Sequence, residues 1–328
     1  MKKVLVSLLA LILATALLPV HAAEFNITLA AAVQTDTAMY KAAEEFKNKV
    51  EERTDGKVFV DLVFAAILGG DREMSDSLMM GDIEMAYLTD IGFATSMPEI
   101  GYVNLPYLFP DYESVDKHYF NGFLGEKIKE DFQKRGLRIL GWGENDYRSL
   151  TSNHPIKTIA DLKGMKIRTP EFPSLLAFFQ DLGANPTPMS FAEVISGLQQ
   201  GTIDGQDNGP ILTQSSRFYE VQKYFTWTNH VYSGAMIVIN EDYYQTMPED
   251  IQAILNEEGA LAGDLQIKWN RENVDKAIKI MEDYGVTVSE ITPELKTAFE
   301  DAAKKVWDQF KSEYDTSAMD YIFNNLSQ

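Results

Sequence analysis

FNITLAAAVQTDTAMYKAAEEFKNKVEERTDGKVFVDLVFAAILGGDREMSDSLMMGDIEMAYL, residues 25–88, alternates between two hydrophobic periods, and that alternation decides the fold. Phe25 to Ala32 is a short apolar run rich in strand formers, followed by Thr35-Asp36-Thr37, any of which can cap a helix. A helix from Ala38 to Arg53 sets Met39, Ala43, Phe46 and Val50 on one stripe, and Thr54-Asp55-Gly56 ends it. Val58 to Phe64 reads as a second strand, Asp71 to Met80 as a helix stopped by Gly81, and Glu84 to Leu88 as a third strand. The repetition β-α-β-α-β with short connections predicts an α/β protein with an open, largely parallel sheet covered by helices. Ligands of such sheets sit beyond the carboxyl ends of the strands.

The same alternation continues downstream. Leu137 to Trp142 reads as a strand, and a second unit begins near residue 146. Ile159 to Leu162 reads as a short helix, and Met165-Lys166-Ile167-Arg168 as a short strand whose period of two sets Lys166 and Arg168 opposite Met165 and Ile167. Ser190-Phe191-Ala192-Glu193 has the form of a capping box, opening a helix that carries Val194, Ile195 and Leu198 and stops near Gly201. Ala235 to Ile239 reads as a buried strand. From Pro248 a helical pattern runs through Ile251, Leu255, Leu261, Leu265 and Trp269 to about Tyr284, long enough to serve two lobes, and a further helix follows Thr292-Pro293-Glu294-Leu295.

Composition bounds what such a chain can do. With 328 residues, 45% of them hydrophobic, it has material for two packed domains. Its 29 Lys and Arg face 49 Asp and Glu, and a net charge of −20 repels a phosphate backbone, so nucleic acid is excluded as a partner. The absence of cysteine excludes disulfides, thiolate metal sites and a cysteine nucleophile. At the N-terminus, Lys2 and Lys3 precede an apolar run from Val4 to Leu18, and Val20 and Ala22 are small residues at a cleavage position. Residues 1–22 therefore read as an export signal, removed to leave a soluble protein outside the cytoplasmic membrane.

Catalytic patterns are missing. The sequence has no G-x-S-x-G, HExxH, phosphate loop or G-x-G-x-x-G after a strand. His118, His154 and His230 stand far apart, and acid pairs such as Asp204 with Asp207 read as solvated surface, so no metal, cofactor or catalytic residue is expected. Two arginines stand out instead. Arg148 follows Trp142-Gly143-Glu144-Asn145-Asp146-Tyr147 at the end of a strand, and Arg168 ends the next one before Thr169-Pro170. In so acidic a chain, two guanidinium groups at strand ends make a local positive site suited to a carboxylate, whereas pairing with surface acids is the bland alternative. Asp204-Gly205-Gln206-Asp207-Asn208-Gly209-Pro210 reads as a tight turn in which Asn208 offers an amide to a ligand oxygen.

The runs Leu162-Lys163-Gly164-Met165-Lys166-Ile167-Arg168-Thr169-Pro170, Gly183 to Val194 and Leu198 to Asn208 together resemble the substrate-binding proteins of tripartite ATP-independent periplasmic (TRAP) transporters. Leu68-Gly69-Gly70-Asp71-Arg72-Glu73, Leu105-Pro106-Tyr107-Leu108-Phe109 and Phe218 to Tyr224 extend the resemblance over essentially the whole mature chain. It implies the two-lobed periplasmic binding protein fold, with a cleft between lobes and a long connecting helix. Residues 23–145 plus 234–273 would form one lobe and residues 146–233 plus 274–328 the other. It further implies that Arg168 clamps a ligand carboxylate, that Arg148 adds a second contact, that Asn208 reaches the same carboxylate and that Phe191 packs beside the ligand. Asp71, Thr89 and Glu171 fall where family members set polar side chains against the variable end of the ligand. Thr89 departs from members with an acid there.

The function expected from this resemblance is binding without chemistry: a periplasmic monomer captures a small organic acid and presents it to TRAP membrane transporter subunits. A sugar acid, uronate or aldonate, suits the hydroxyl-binding groups Asp71, Thr89 and Glu171. A C4-dicarboxylate or an aromatic or keto acid is the alternative ligand, and a periplasmic hydrolase or an adhesive protein the alternative class.

Overall fold

The computed structural model describes residues 23–326; the expected export segment, residues 1–22, lies outside the described residues. Three short strands, β1 (Phe25–Ala30), β2 (Val58–Val63) and β3 (Met85–Thr89), pair in parallel around β1. Between them lie helix α1 (Ala38–Arg53), opened where Thr37 Oγ1 accepts the Tyr40 amide at 3.2 Å, and α2 (Asp71–Met80), closed by Gly81 in the left-handed region. The stripe expected on α1 is the buried one: Met39, Ala43, Phe46 and Val50 pack under the sheet. A short helix, α3 (Asp90–Ala94), follows β3 directly.

Beyond β3 the sheet departs from the expected pattern. Its order is β2-β1-β3-β8-β4-β7-β5-β6, and two long antiparallel strands, β4 (Leu137–Ser152) and β8 (Tyr224–Asn240), run through its centre. On their far side lie β5 (Lys166–Thr169), β6 (Asn185–Pro188) and β7 (Gly205–Asn208), parallel at β5–β6 and β5–β7, while β9 (Thr287–Glu290) extends β8. Parallel pairing therefore holds at both ends of the sheet and fails in the middle. The strands expected at Leu137–Trp142 and Ala235–Ile239 are the apolar parts of β4 and β8. Their continuations, Glu144 to Ser149 and Thr226 to His230, are polar yet mostly buried, because elements pack against both faces where the two halves of the molecule meet. Arg148 consequently lies inside a strand and not at its end.

The register of β4 against β8 slips between Ile139 and Gly141, between Glu144 and Asp146, and between Arg148 and Leu150. Each slip is a bulge, which bends the strand and re-aims its side chains. The segment expected as a capped helix divides: Ser190 makes no side-chain cap, Phe191 to Glu193 form a 3-10 turn held by Glu193 N–H donating to Ser190 O, and α5 (Val194–Gln200) begins after it. Two further helices, α4 (Pro173–Asp181) and α6 (Pro210–Ser215), flank β5 and β7.

The long helix is α7 (Glu249–Tyr284), 36 residues, followed by α8 (Pro293–Phe310). Glycines let α7 lie directly on β4: a Cβ on Gly141 would overlap the Gly259 carbonyl, and one on Gly263 the Trp142 carbonyl. Gln266 then pairs with the backbone of Glu144, accepting its N–H at 2.7 Å and donating to its carbonyl at 2.8 Å. Arg271 closes the joint, donating to the buried Glu144 carboxylate at 2.8 Å and to Asp116. One helix thus fastens the crossing strand at its central bulge. No described helix is long and apolar enough to cross a membrane.

Candidate ligand-binding site

Between the two halves of the sheet lies a cleft lined by Asp71, Tyr87, Thr89, Asn145, Arg148, Arg168, Phe191 and Asn208, together with Met39, Leu212 and other apolar groups. Arg168 reaches it from β5, a four-residue strand held by β6 on one side and β7 on the other, so the backbone that carries the guanidinium is fixed by two ladders.

Arg168 is 3% exposed. Its Nε and Nη2 both donate to the Met189 carbonyl, at 3.0 and 2.7 Å, and among the described residues no carboxylate lies within ion-pair distance. Burial, against the pull of Asp207, lowers its guanidinium from 12.5 to about 10. A desolvated cation with no counter-charge is unfavourable alone and becomes favourable when an anion joins it.

Arg148 is different. Its Nε donates to Asp207 Oδ2 at 2.7 Å and its Nη2 to the Asp207 carbonyl. Burial alone would raise the Asp207 carboxyl, but Arg148 and His230 outweigh it and hold the group below its ordinary range. His230 faces Asp207 Oδ2 through Nε2 at 3.4 Å, shares Nδ1 with Thr228 Oγ1 at 2.7 Å, and stacks on Phe178 of α4 at 5.7 Å. Burial lowers the imidazole despite Asp207. The expected pair of positive arginines thus resolves into a neutralised Arg148–Asp207 pair and an uncompensated Arg168. Asp207, read from sequence as a surface acid, is fully buried, whereas Asp204 accepts the Lys166 amide at 2.8 Å near the surface.

The supposed turn around Asn208 is also corrected: Gly205–Asn208 is β7, antiparallel to β4 and parallel to β5. Its turn-like composition has another cause. Gly205 is needed because a Cβ there would overlap the Thr151 carbonyl, while Gln206 donates to Thr151 and Asp207 accepts from Arg148 through Oδ2, its Oδ1 being buried without a partner among the described residues. Asn208, 1% exposed, gives one amide hydrogen to Gln206 Oε1 at 2.6 Å and lines the cleft. Phe191 sits with its ring centre 5.9 Å from the Arg168 guanidinium carbon and 6.0 Å from Phe218.

The other half of the molecule contributes Asp71, first residue of α2, and Thr89, last of β3. Thr89 Oγ1 accepts the Gly92 amide at 2.9 Å and so caps α3, leaving its hydroxyl hydrogen to donate elsewhere. Both side chains flank Gly92: a Cβ there would lie 3.0 Å from Asp71 Cγ and 3.1 Å from Thr89 Oγ1. Burial, opposed by Arg168 and Arg148, pushes the Asp71 carboxyl from 3.8 up to about 6. Glu171 stands apart. It is exposed and pairs with Arg72 of α2 at 2.9 Å, in an adjoining recess at the cleft mouth. Nearby, a Cβ on Gly70 would lie 2.5 Å from Ser190 Oγ, so the two halves touch there.

Asn145 was not legible as a cleft residue. Simple alternation along β4 sets residues 145 and 148 on opposite faces, but the bulge between Glu144 and Asp146 turns both into the cleft. Among the described residues no cluster of His, Asp and Glu side chains is arranged to hold a metal ion.

The family model for bacterial extracellular solute-binding protein, family 7 (DctP) matches residues 29–313. The 2,3-diketo-L-gulonate-binding periplasmic protein YiaO of Escherichia coli (strain K12) is 36% identical over 279 residues, 84% of each chain. Among solved structures, the sugar acid binding protein DctPAm of Advenella mimigardefordensis in complex with galactonate superposes with a TM-score of 0.87 at 28% identity, covering 91% of this chain and 96% of that one. A TRAP periplasmic solute-binding protein from Sulfurospirillum deleyianum with bound succinate superposes equally well, TM-score 0.87 at 28% identity over 93% and 100% of the two chains. These are two-lobed transport proteins and not enzymes. The chain belongs to the family 7 bacterial extracellular solute-binding proteins, the substrate-binding proteins of TRAP transporters.

Proposed function

We propose that the chain is exported by its first 22 residues to the periplasm and, as a monomer, captures a sugar acid, a uronate or an aldonate. Lobes of residues 23–145 plus 234–273 and of residues 146–233 plus 274–328 close over it, and the closed form delivers it to TRAP membrane transporter subunits. The observation that carries this reading is Arg168, a buried guanidinium whose Nη1 has no partner and whose charge has no carboxylate within ion-pair distance among the described residues. A ligand carboxylate supplies both, with Asn208 and Arg148 beside it and Phe191 against its flank. Contacts from both lobes favour the closed state, because only that state makes them all.

Charge favours a polyhydroxy monocarboxylate over a dicarboxylate. The cleft offers one uncompensated cation, and the wall facing it carries Asp71, which repels a second carboxylate but accepts hydroxyl hydrogens, with Thr89 adjacent. The sugar acids named for YiaO and for the Advenella protein support this choice, while the succinate-bound neighbour keeps a C4-dicarboxylate as the second reading. Glu171 would meet the variable end only after leaving Arg72. Calorimetric titration with galactonate, glucuronate, gulonate and succinate, alongside mass spectrometry of ligand released from the denatured protein, tests it. Saturable binding of a sugar acid in preference to succinate is expected; succinate binding alone, or turnover of any acid, contradicts it.

A further inference from the structure

Asn145 is 5% exposed, yet among the described residues its side-chain amide has no hydrogen-bond partner. Neither of its polar atoms is among the side-chain atoms sealed from water without a partner, so the little surface the amide keeps is open, and the cavity it borders is the ligand cleft. Buried amides in folded proteins are almost always satisfied, and an amide left open toward a binding cleft is positioned for a ligand atom. The local backbone is built to hold it there. Asn145 is the extra residue of the β4 bulge, next to Asp146 at a φ of 91°, a value that residues with a Cβ rarely adopt. Gln266 pins the preceding residue, Glu144, through both its N–H and its carbonyl.

The position along the cleft identifies what Asn145 would meet. It precedes Arg148 by three residues on the same strand, and its carbonyl lies 3.2 Å from where a Cβ on Gly209, the residue after Asn208, would sit. Asn145 is thus beside the two residues assigned to the carboxylate end, whereas Asp71 and Thr89 approach from the opposite lobe. We infer that Asn145 is a specificity-determining residue whose amide donates to the oxygen carried by the carbon next to the ligand carboxylate, so that the cleft selects acids oxygenated at that carbon. The inference rests on the sugar-acid reading and deepens it. An acid lacking that oxygen would leave the amide unsatisfied, and sites built to bond a hydroxyl reject the analogue without it.

The test compares galactonate with 2-deoxygalactonate in calorimetric titrations of the wild type, Asn145→Ala and Asn145→Asp, with unfolding midpoints recorded for each. The wild type should prefer galactonate, and both variants should weaken galactonate roughly tenfold while changing 2-deoxygalactonate less than about threefold, so that the ratio between the two acids collapses. A merely structural role would weaken both acids equally, and that result, or galactonate affinity unchanged in the variants, overturns the inference. A wild type that binds both acids equally overturns it while leaving the sugar-acid reading in place. A wild type that binds no sugar acid overturns both.

Discussion

Replacing Asp71 by Asn should make the empty protein more stable while weakening its hold on a hydroxylated acid. The carboxyl sits at the first position of α2 facing Arg168 across the cleft, and burial raises it from 3.8 to about 6 in the folded chain. Because the folded value lies above the unfolded one, the folded chain holds this proton more tightly. Ionisation therefore works against the fold: the penalty is absent below about pH 4, grows between about pH 4 and 6, and is complete above about pH 7. At about 1.4 kcal/mol per tenfold it amounts to about 3 kcal/mol at pH 7.5. Because Asn stands in for the neutral carboxyl, the variant should gain most of this, about 3 kcal/mol at pH 7.5. Urea unfolding of both proteins at pH 7.5 and pH 4 measures it. Asp90 and Asp146, which burial pushes up to about 6 and about 7, tilt both proteins alike and cancel in the difference. A stability gain at pH 7.5 that vanishes at pH 4, with sugar-acid affinity reduced, is expected. No gain at pH 7.5, or a gain independent of pH, refutes the reasoning.

Asp207→Ala should destabilise the fold by about 3–5 kcal/mol, because Arg148 is left buried with no counter-charge; an unchanged guanidinium-chloride midpoint would show that the pair contributes nothing. Gly263→Ala forces a Cβ into the Trp142 carbonyl and must lift α7 off β4, costing about 1–3 kcal/mol, of which better helix propensity returns at most about 1 kcal/mol. Thermal unfolding checks this, and a variant as stable as the wild type would mean that α7 does not rest on β4 as described.

How much of this was legible in the sequence depended on what buried each segment. The first two strands and α1 follow their hydrophobic periods because each buries mainly one face or stripe, whereas β3 is apolar throughout because both its faces are buried, Ala86 and Leu88 in one core and Met85 and Tyr87 in the other. The resemblance to TRAP binding proteins drew Arg168, Arg148, Asn208, Phe191, Asp71 and Thr89 together, and the structure lines one cleft with them. Two other features were illegible for definite reasons. The run Gly205 to Asn208 carries turn residues yet forms a buried strand, because most of its polar groups pair with Arg148, Thr151 and one another, which no local pattern records. Asn145 reaches the cleft only through a bulge, and a bulge breaks the alternation from which a strand's facing is read. Glu171, aligned with ligand-contacting positions by resemblance, pairs instead with Arg72 at the mouth, a contact that needs the two halves folded together.

The assignment of Arg168 as the ligand's counter-charge is tested most directly by calorimetric titration of Arg168→Ala with the sugar acid that the wild type binds best. Removing the guanidinium leaves a desolvated carboxylate unpaired, a loss on the order of 2 to 5 kcal/mol, or roughly thirtyfold to several thousandfold in affinity. The empty variant should unfold no more easily than the wild type, since a buried, uncompensated cation has gone. Near-normal affinity in a folded Arg168→Ala protein would mean that the carboxylate is held elsewhere.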